Sequence, residues 1–210
     1  MKSKFIISVL MFLSTACIFR TEGSSADFTY DKKSLAEFYS LKVDVPANII
    51  LSQSDAEEIR IEGERRELTK VSSNVDKGTL IISGKNSVPL TIYLSVKNLN
   101  RIEVNGSARV FVNGLLNSDV MLLKVNGSGS ISADVRSLAL GLIVKGDGKI
   151  YARGSTGRSF AKITGHGQIS TTGLSSFNHT ESVMRNESEI PGQTEKEKKN
   201  SKRPLLRIHE

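Results

Sequence analysis

The heptapeptide VNGSGSI at residues 125–131 is one copy of a block that recurs four times along the chain. The other copies are VNGSARV at 104–110, VKGDGKI at 144–150 and ITGHGQI at 163–169, and successive first glycines lie 19 to 21 residues apart. A repeat of this length is typical of a solenoid, in which each coil buries its apolar side against its neighbours. We therefore expect one coil per block.

Within each block apolar and polar residues alternate, as in a strand with one buried face. The first, third, fifth and seventh positions are predicted to face inward, which places the glycines in the interior. Ala108, in place of one glycine, favours crowding over a requirement for positive φ, which alanine tolerates poorly. A phosphate-binding loop is excluded because no amphipathic helix follows the block. The repeat glycines are Gly106, Gly127, Gly129, Gly146, Gly148, Gly165 and Gly167.

The same alternation extends over residues 38–177, with turn-prone groups between the apolar runs. No window in this range shows a helical apolar stripe longer than two turns. Trp is absent, aromatic residues make up 6% of the chain and there are 17 glycines, a composition suited to short strands and many turns. The sequence predicts a single all-β domain, a parallel β-helix or β-solenoid-like roll with coils of about 20 residues and three short strands per turn.

Residues 1–16 have the features of a secretion signal: two lysines, an apolar run and a small-residue cleavage site. Cys17, the only cysteine, follows that site directly and cannot form a disulfide within the chain. Lipidation of Cys17 is the favoured interpretation, because STAC resembles a bacterial lipobox. The alternative is ordinary cleavage after Ala16. Residues 17–37 are predicted to form a polar tether.

Residues 178–210 lose the strand alternation and contain a Lys/Arg-rich run between 196 and 207. This segment is predicted to be a disordered basic tail, since it has too little apolar surface to offset the entropy of ordering. The chain carries a formal net charge of +7. Contact of the tail with anionic lipid, polysaccharide or nucleic acid is the minor alternative. Nucleic acid is not an expected partner, because the chain is predicted to be exported and has no zinc-finger or RNA-binding motif.

The central outward positions of the four blocks are Ser107, Ser128, Asp147 and His166, and they are predicted to stack as a ladder. A Ser-His-Asp hydrolase is not expected, because Asp147 would lie between the serine and the histidine. Asp147 and His166 are too few ligands for a typical metal site, and His179 is predicted to lie beyond the repeats. The sequence thus predicts no catalytic residues, no cofactor and no metal. Two Asn-Gly-Ser matches to the glycosylation pattern are interpreted as by-products of the repeat.

Several segments together resemble the putative auto-transporter adhesin head GIN domain family. They are LKVDVPANIILSQSD at 41–55, IRIEG at 59–63, GTLIIS at 78–83, LNRIEVNGSARV at 99–110 and the serial GSG-type blocks. The resemblance covers roughly 38–175 and implies an envelope protein with a β-solenoid and no established enzymatic activity. Ala108, Asp147 and His166 depart from the GSG pattern of the family, as does the basic tail.

Two function classes follow from these observations. The favoured one is a non-catalytic exported module of the cell envelope that serves adhesion, glycan contact or self-association. Its expected ligand is an envelope or extracellular glycan or protein, its lipid anchor would be Cys17, and a homo-oligomer is left open. The alternative is an enzyme that acts on a polysaccharide laid along the solenoid. The outward positions favour binding, because Asp147 is the one acidic residue in the blocks.

Overall fold

The computed structural model describes residues 28–184 of the chain. This region contains fourteen strands and one short helix, α1 (Arg65–Leu68), so the all-β solenoid prediction is confirmed. The strands are β1 (Phe28–Ser34), β2 (Ser40–Asp44), β3 (Ala47–Gln53), β4 (Glu58–Glu64), β5 (Val71–Asp76), β6 (Thr79–Gly84), β7 (Leu90–Val96), β8 (Arg101–Gly106), β9 (Arg109–Asn117), β10 (Val120–Gly127), β11 (Ser130–Lys145), β12 (Lys149–Thr164), β13 (Gln168–Ser170) and β14 (Leu174–Met184).

The predicted signal segment 1–16, Cys17 and the predicted tail from 185 onward lie outside the described residues. Within residues 28–184, no helix is long and apolar enough to cross a membrane.

Each coil of the repeat region has three flat sides. In the coil that begins with β8, Arg101–Gly106 forms the first side, residues 109–112 the second and residues 115–117 the third. We call these sides face 1, face 2 and face 3. The next coil returns to face 1 at Val120, where β10 pairs in parallel with β8. Three short strand segments per turn were predicted, and the register of the coils confirms them.

Parallel pairing stacks the coils in register. On face 2 the order of strands is β7, β3, β9, β11, β12, β13. On face 1 it is β6, β2, β8, β10, β11, β12, β14. Strands β11 and β12 are long because each runs through the corners of its coil without a break. Every outward side chain is therefore one step in a column that runs across the strands.

The core is filled by aliphatic side chains at alternate positions of every strand. Val104, Val125 and Val144 stack directly on one another in the parallel register, and each is fully buried. Burial of each such side chain stabilises the fold by roughly 1.5–3 kcal/mol before entropy is counted. This core is built from alternate apolar positions of the predicted β domain, but Leu138, which belongs to the same alternation, is 68% exposed.

The first end of the solenoid is closed by antiparallel strands. Strand β5 pairs with β6 on face 1, and β4 pairs with β7 on face 2, with β1 outside β4. Such strands cover an edge that would otherwise be open to pairing with another chain. The predicted tether 17–37 is therefore wrong for the part that forms β1. The sequence does not indicate β1, because this strand is held by backbone pairing with β4 and the side chains of residues 31–34 are exposed.

The other end of the domain also differs from the prediction. Strand β14 continues to Met184, so the predicted boundary at 177 and the predicted tail are wrong for residues 178–184. These residues pair with β12 from Arg158↔Asn178 to Thr164↔Met184. Their alternation is absent because β14 is the last strand of face 1 in the described region, and most of its side chains are exposed.

The glycines of the blocks serve two different purposes. Gly127 and Gly146 lie at the exposed corner between faces 1 and 2, with φ of +114° and +97°. Gly106 and Gly165 also have positive φ. The prediction that these first glycines face the interior and do not need positive φ is wrong. The predicted crowding is present at Gly127, Gly146 and Gly165, where a Cβ atom would lie 2.8, 3.0 and 2.9 Å from a carbonyl oxygen of the preceding coil, and is absent at Gly106. The chain turns at the first glycine of the block, so Gly127 and Gly146 are exposed although the first, fifth and seventh positions of their blocks are buried as predicted.

Crowding without positive φ explains the second glycine of the last three blocks. A Cβ atom on Gly129 would lie 2.4 Å from the carbonyl oxygen of Ala108 and 2.7 Å from Cγ1 of Val104. A Cβ atom on Gly148 or Gly167 would likewise lie too close to atoms of the preceding coil. Backbone hydrogen bonds also join the coils here, for example from the amide of Gly129 to the carbonyl of Gly106 at 2.7 Å.

Candidate functional site

The predicted polar ladder of Ser107, Ser128, Asp147 and His166 lies at the corner between faces 1 and 2 and is exposed. His166 Nδ1 is 3.5 Å from Asp147 Oδ1, with side-chain exposures of 63% and 72%. A contact this open to water contributes little to stability. The order of the coils places Asp147 between Ser128 and His166. A Ser-His-Asp relay needs the histidine between the serine and the aspartate, so these residues are not arranged as a catalytic triad.

The described region offers no other arrangement for a metal. Between residues 28 and 184, no group of three or more His, Cys, Asp or Glu side chains could hold an ion. Asp147 and His166 remain a two-residue pair at an exposed corner, which is fewer than the three or four protein ligands of a typical zinc site.

A second serine–histidine pair was missed by the sequence analysis. His179, predicted to lie beyond the repeats, belongs to β14 and is aligned with Ser159 of β12. The Ser159 Oγ and His179 Nδ1 atoms are 2.7 Å apart, and the Ser159 hydroxyl donates to Ser176 Oγ at 3.1 Å. The separation of 20 residues, equal to one coil, was the available signal.

This pair belongs to a column of hydroxyl groups at the corner between faces 3 and 1. Ser176 donates to the carbonyl of Asn178 at 2.8 Å, and Thr156 donates to the carbonyl of Arg158 at 3.0 Å one coil earlier. Ser159 itself is buried, with 6% of its surface exposed. These contacts fasten the corner of each coil to the strand that follows it.

Face 1 carries a network of polar and charged side chains. Asn126 donates to Asn105 Oδ1 at 2.7 Å, and Asn105 in turn donates to the carboxylate of Asp44. Asn105 and Asn126 are the two asparagines of the Asn-Gly-Ser matches, and both are partly buried. Their side chains connect successive coils, which gives these residues a structural role.

Glu103 is the centre of the same network. Its carboxylate accepts hydrogen bonds from Arg101 at 2.7 Å and from Lys124 at 3.0 Å, and its side chain is 14% exposed. Burial by itself raises the pKa of Glu103, but the hydrogen bonds and charges of Arg101 and Lys124 outweigh burial and lower the pKa. The charges of Arg101, Lys124 and Glu103 are thus paired with one another on face 1.

Face 2 is different, because aromatic side chains project from it into solvent. Phe111 of β9 and Tyr151 of β12 have 52% and 41% of their surface exposed. The strand between them, β11, contributes Ser132 to the same column, and β13 contributes Ser170 after Tyr151. Aromatic and small polar residues therefore alternate from one coil to the next.

A parallel column lies two residues earlier on each strand. Arg109 and Lys149 are exposed, and they are separated by Ser130 of β11. A basic and an aromatic residue thus occur together on β9 and again on β12, which are separated by β11. We call the two columns the face 2 lane. It consists of Arg109, Phe111, Ser130, Ser132, Lys149, Tyr151, Gln168 and Ser170.

The lane stops before the capped end of the solenoid. Tyr93 of β7 occupies the aromatic column next to Ile50. The guanidinium carbon of Arg60 is 4.2 Å from the centre of the Tyr93 ring and covers it. The exposed part of the aromatic column therefore begins at Phe111.

A signal for this lane is present in the sequence, although the lane was not predicted. The basic residue follows the first glycine of its block by three positions and the aromatic residue by five, as in Gly106, Arg109 and Phe111. The same offsets from Gly146 give Lys149 and Tyr151. Arg109 and Lys149 are the sixth residues of their blocks, whereas Phe111 and Tyr151 come directly after the blocks, where no repeat was expected.

Solved structures of similar fold support the architecture. A protein from Parabacteroides distasonis described as a putative adhesin superposes with a TM-score of 0.61 at 18% identity, over 77% of this chain and 80% of that chain. A second protein from this species, described as a putative lipid binding protein, gives 0.63 at 16% identity, over 76% and 79%. A putative adhesin from Parabacteroides merdae gives 0.59 at 16% identity, over 76% and 78%.

At these identities the likeness shows the shared fold. Among curated proteins, none is similar enough in sequence to count as a relative. Residues 37–184 match the sequence family described as "Putative auto-transporter adhesin, head GIN domain", and this span covers the whole solenoid from β2 to β14. The chain therefore belongs to the putative auto-transporter adhesin, head GIN domain family.

Proposed function

We propose that this chain is a non-catalytic, exported protein of the cell envelope that binds a surface ligand on face 2. The family description and the adhesin descriptions of two proteins of similar fold support an adhesion-like role. The observation that carries the choice of surface is the pair Phe111 and Tyr151, half-exposed on a flat parallel sheet and each accompanied by a basic residue. Aromatic and arginine side chains are the types most enriched at binding hot spots.

The chemistry of the lane favours binding over polysaccharide cleavage. Most glycoside hydrolases use a pair of carboxyl groups on either side of the scissile bond. The lane positions consist of basic, aromatic, hydroxyl and amide side chains. If the purified chain released new reducing ends from polysaccharides, the non-catalytic assignment would be contradicted.

Attachment to the envelope is assigned to Cys17, the lone cysteine directly after the signal-like segment. Metabolic labelling with a fatty-acid probe should mark the wild-type chain and leave Cys17→Ser unmarked. The Cys17→Ser variant should also leave the membrane fraction. A wild-type chain without label would contradict the lipid anchor and would leave the binding face untouched.

Adhesion can be tested with beads that carry the full chain. We expect wild-type beads to be retained on isolated bacterial envelopes or on extracellular matrix, and beads with Phe111→Ser and Tyr151→Ser to be lost. Phe160→Ser is the matched control, because Phe160 is 42% exposed but lies on face 1. This variant removes the same kind of side chain and should be retained like the wild type.

Two results would contradict the proposal. One is the absence of retention of wild-type beads on every surface tested. The other is equal retention of the wild type and of the Phe111→Ser, Tyr151→Ser double variant, which would show that face 2 is not the binding face.

A further inference from the structure

Building on the proposed function, we infer that the face 2 lane binds an acidic polysaccharide with one acid group per disaccharide, laid across the strands along the solenoid axis. The inference rests on the spacing of the aromatic column, the charge of the neighbouring column and the polar residues between them.

The aromatic column has the period of a disaccharide. Phe111 and Tyr151 lie two strands apart in one column, which corresponds to about 9.6 Å at the usual strand spacing of about 4.8 Å. An extended, β-linked disaccharide has a similar length. The apolar face of a sugar ring packs flat on an aromatic ring, so every second sugar of such a polymer can stack on this column.

The basic column has the same period and supplies the charge. Arg109 and Lys149 are two strands apart, each two residues from its aromatic partner. In the described part of the chain, neither forms an ion pair, whereas Arg153 on the adjoining side is paired with Asp134 at 2.8 Å. Arg109 and Lys149 are therefore free to pair with acid groups that recur once per disaccharide.

Small polar residues occupy the strands between. Ser130 and Ser132 lie between the two aromatic strands, and Gln168 and Ser170 follow Tyr151. Hydroxyl and amide groups at these places can exchange hydrogen bonds with sugar hydroxyls without obstructing the chain. None of the eight lane residues is acidic. The lane is therefore electrostatically complementary to a polyanion and has no charge that would repel its acid groups.

The inference is tested by isothermal titration of the purified full chain with three oligosaccharides that differ in the spacing of their acid groups. Hyaluronan has one carboxylate per disaccharide, polygalacturonate has one on every sugar, and cellulose oligosaccharides have none. We expect hyaluronan to bind most tightly, with affinity that falls as salt is raised. Dextran sulfate and single-stranded DNA serve as polyanions of other spacing and should bind more weakly.

Variants separate stacking from charge. Phe111→Ser or Tyr151→Ser should each weaken hyaluronan binding by about tenfold or more, the loss typical of a main interface anchor. Arg109→Gln and Lys149→Gln should weaken binding several-fold and flatten its salt dependence. Phe160→Ser and Lys145→Gln, which remove an exposed aromatic and an exposed basic side chain from face 1, should bind like the wild type.

Several results would overturn the inference. These are equal affinity for all three oligosaccharides, equal or tighter binding of dextran sulfate or DNA, and unchanged affinity in the aromatic variants. A dimer of the wild type that dissociates in Phe111→Ser would identify a second copy as the occupant. If beads are retained on envelopes while hyaluronan fails to bind, the ligand class is wrong and the proposed function stands. If beads are not retained, the function itself fails.

Discussion

Gly148 lies so close to Val125 of the preceding coil that a Cβ atom on Gly148 would be 2.4 Å from the Val125 Cγ1 atom. The carbonyl oxygens of Gly129 and Gly127 would lie at 2.9 and 3.0 Å from the same atom. Val125 is fully buried. The glycine at this position is therefore required by the packing of one coil on the next.

Gly148→Ala is expected to destabilise the fold by about 1–3 kcal/mol through overpacking, measured by urea unfolding. Because Val125 supplies the closest atom, adding Val125→Ala should cost less than the sum of the two single changes. Ser128→Ala at the exposed corner is the control and should change stability by less than about 0.5 kcal/mol. Parental stability in Gly148→Ala would show that the coils are not packed as described.

Gly106→Ala isolates the backbone requirement from crowding. Gly106 has φ of +84°, and no atom lies within 4 Å of the position that a Cβ would take. A loss of about 1–2 kcal/mol in urea unfolding is expected from the left-handed conformation alone. Gly129→Ala, with crowding but no positive φ, provides the opposite case. An unchanged unfolding midpoint for Gly106→Ala would mean that the corner does not depend on this conformation.

The sequence predicted the coil length, the three-sided turn and the buried aliphatic positions, because the serial blocks repeat all three. It did not predict the capped end, where β6 and β7 follow β2 and β3 in the chain but lie outside them in the stack. Periodicity describes coils that follow one another in order, and no repeat signals a reversal of that order. Strands β1 and β14 were missed for a related reason, since backbone pairing at an edge leaves no apolar alternation.

Glu103 should make stability depend on pH in the acid range. Its pKa is lowered from 4.5 in the folded chain, so the carboxylate stabilises the fold above the unfolded-state pKa. As pH falls from about 4.5 through the lowered folded-state pKa, the unfolded chain binds the proton first and this stabilisation is lost. Glu103→Gln should be less stable near neutral pH and should lose less stability on acidification. Parallel pH profiles for both chains would contradict the role of Glu103.

Truncation tests the position of the C-terminal boundary. Ending the chain after Phe177 removes the part of β14 that pairs with Phe160, Ala161 and Ile163 of β12. The thermal midpoint should then fall by at least about 4 °C, the shift expected for a loss of 1 kcal/mol or more. A chain ending after Met184 keeps the whole strand and is expected to melt close to the full chain. Equal melting of both truncated chains would show that residues 178–184 contribute no packing.

The candidate site was less predictable than the fold. Ser107, Ser128, Asp147 and His166 were correctly placed at exposed positions, because the turn of each block projects from the solenoid. The lane was missed because its aromatic residues, Phe111 and Tyr151, come one residue after their blocks, although the basic residues Arg109 and Lys149 lie inside them. A single aromatic in a strand is usually a core residue. Their common direction becomes apparent once the register aligns Phe111 with Tyr151 across β11.

The most direct test of face 2 as the binding surface is hydroxyl-radical footprinting of the full chain, free and bound to envelopes or matrix. Phe111 and Tyr151 are exposed in the free chain and should become protected from oxidation on binding. Phe160, similarly exposed on face 1, should be oxidised equally in both states. Protection of Phe160 with continued oxidation of Phe111 and Tyr151 would contradict the account and place the binding surface on face 1.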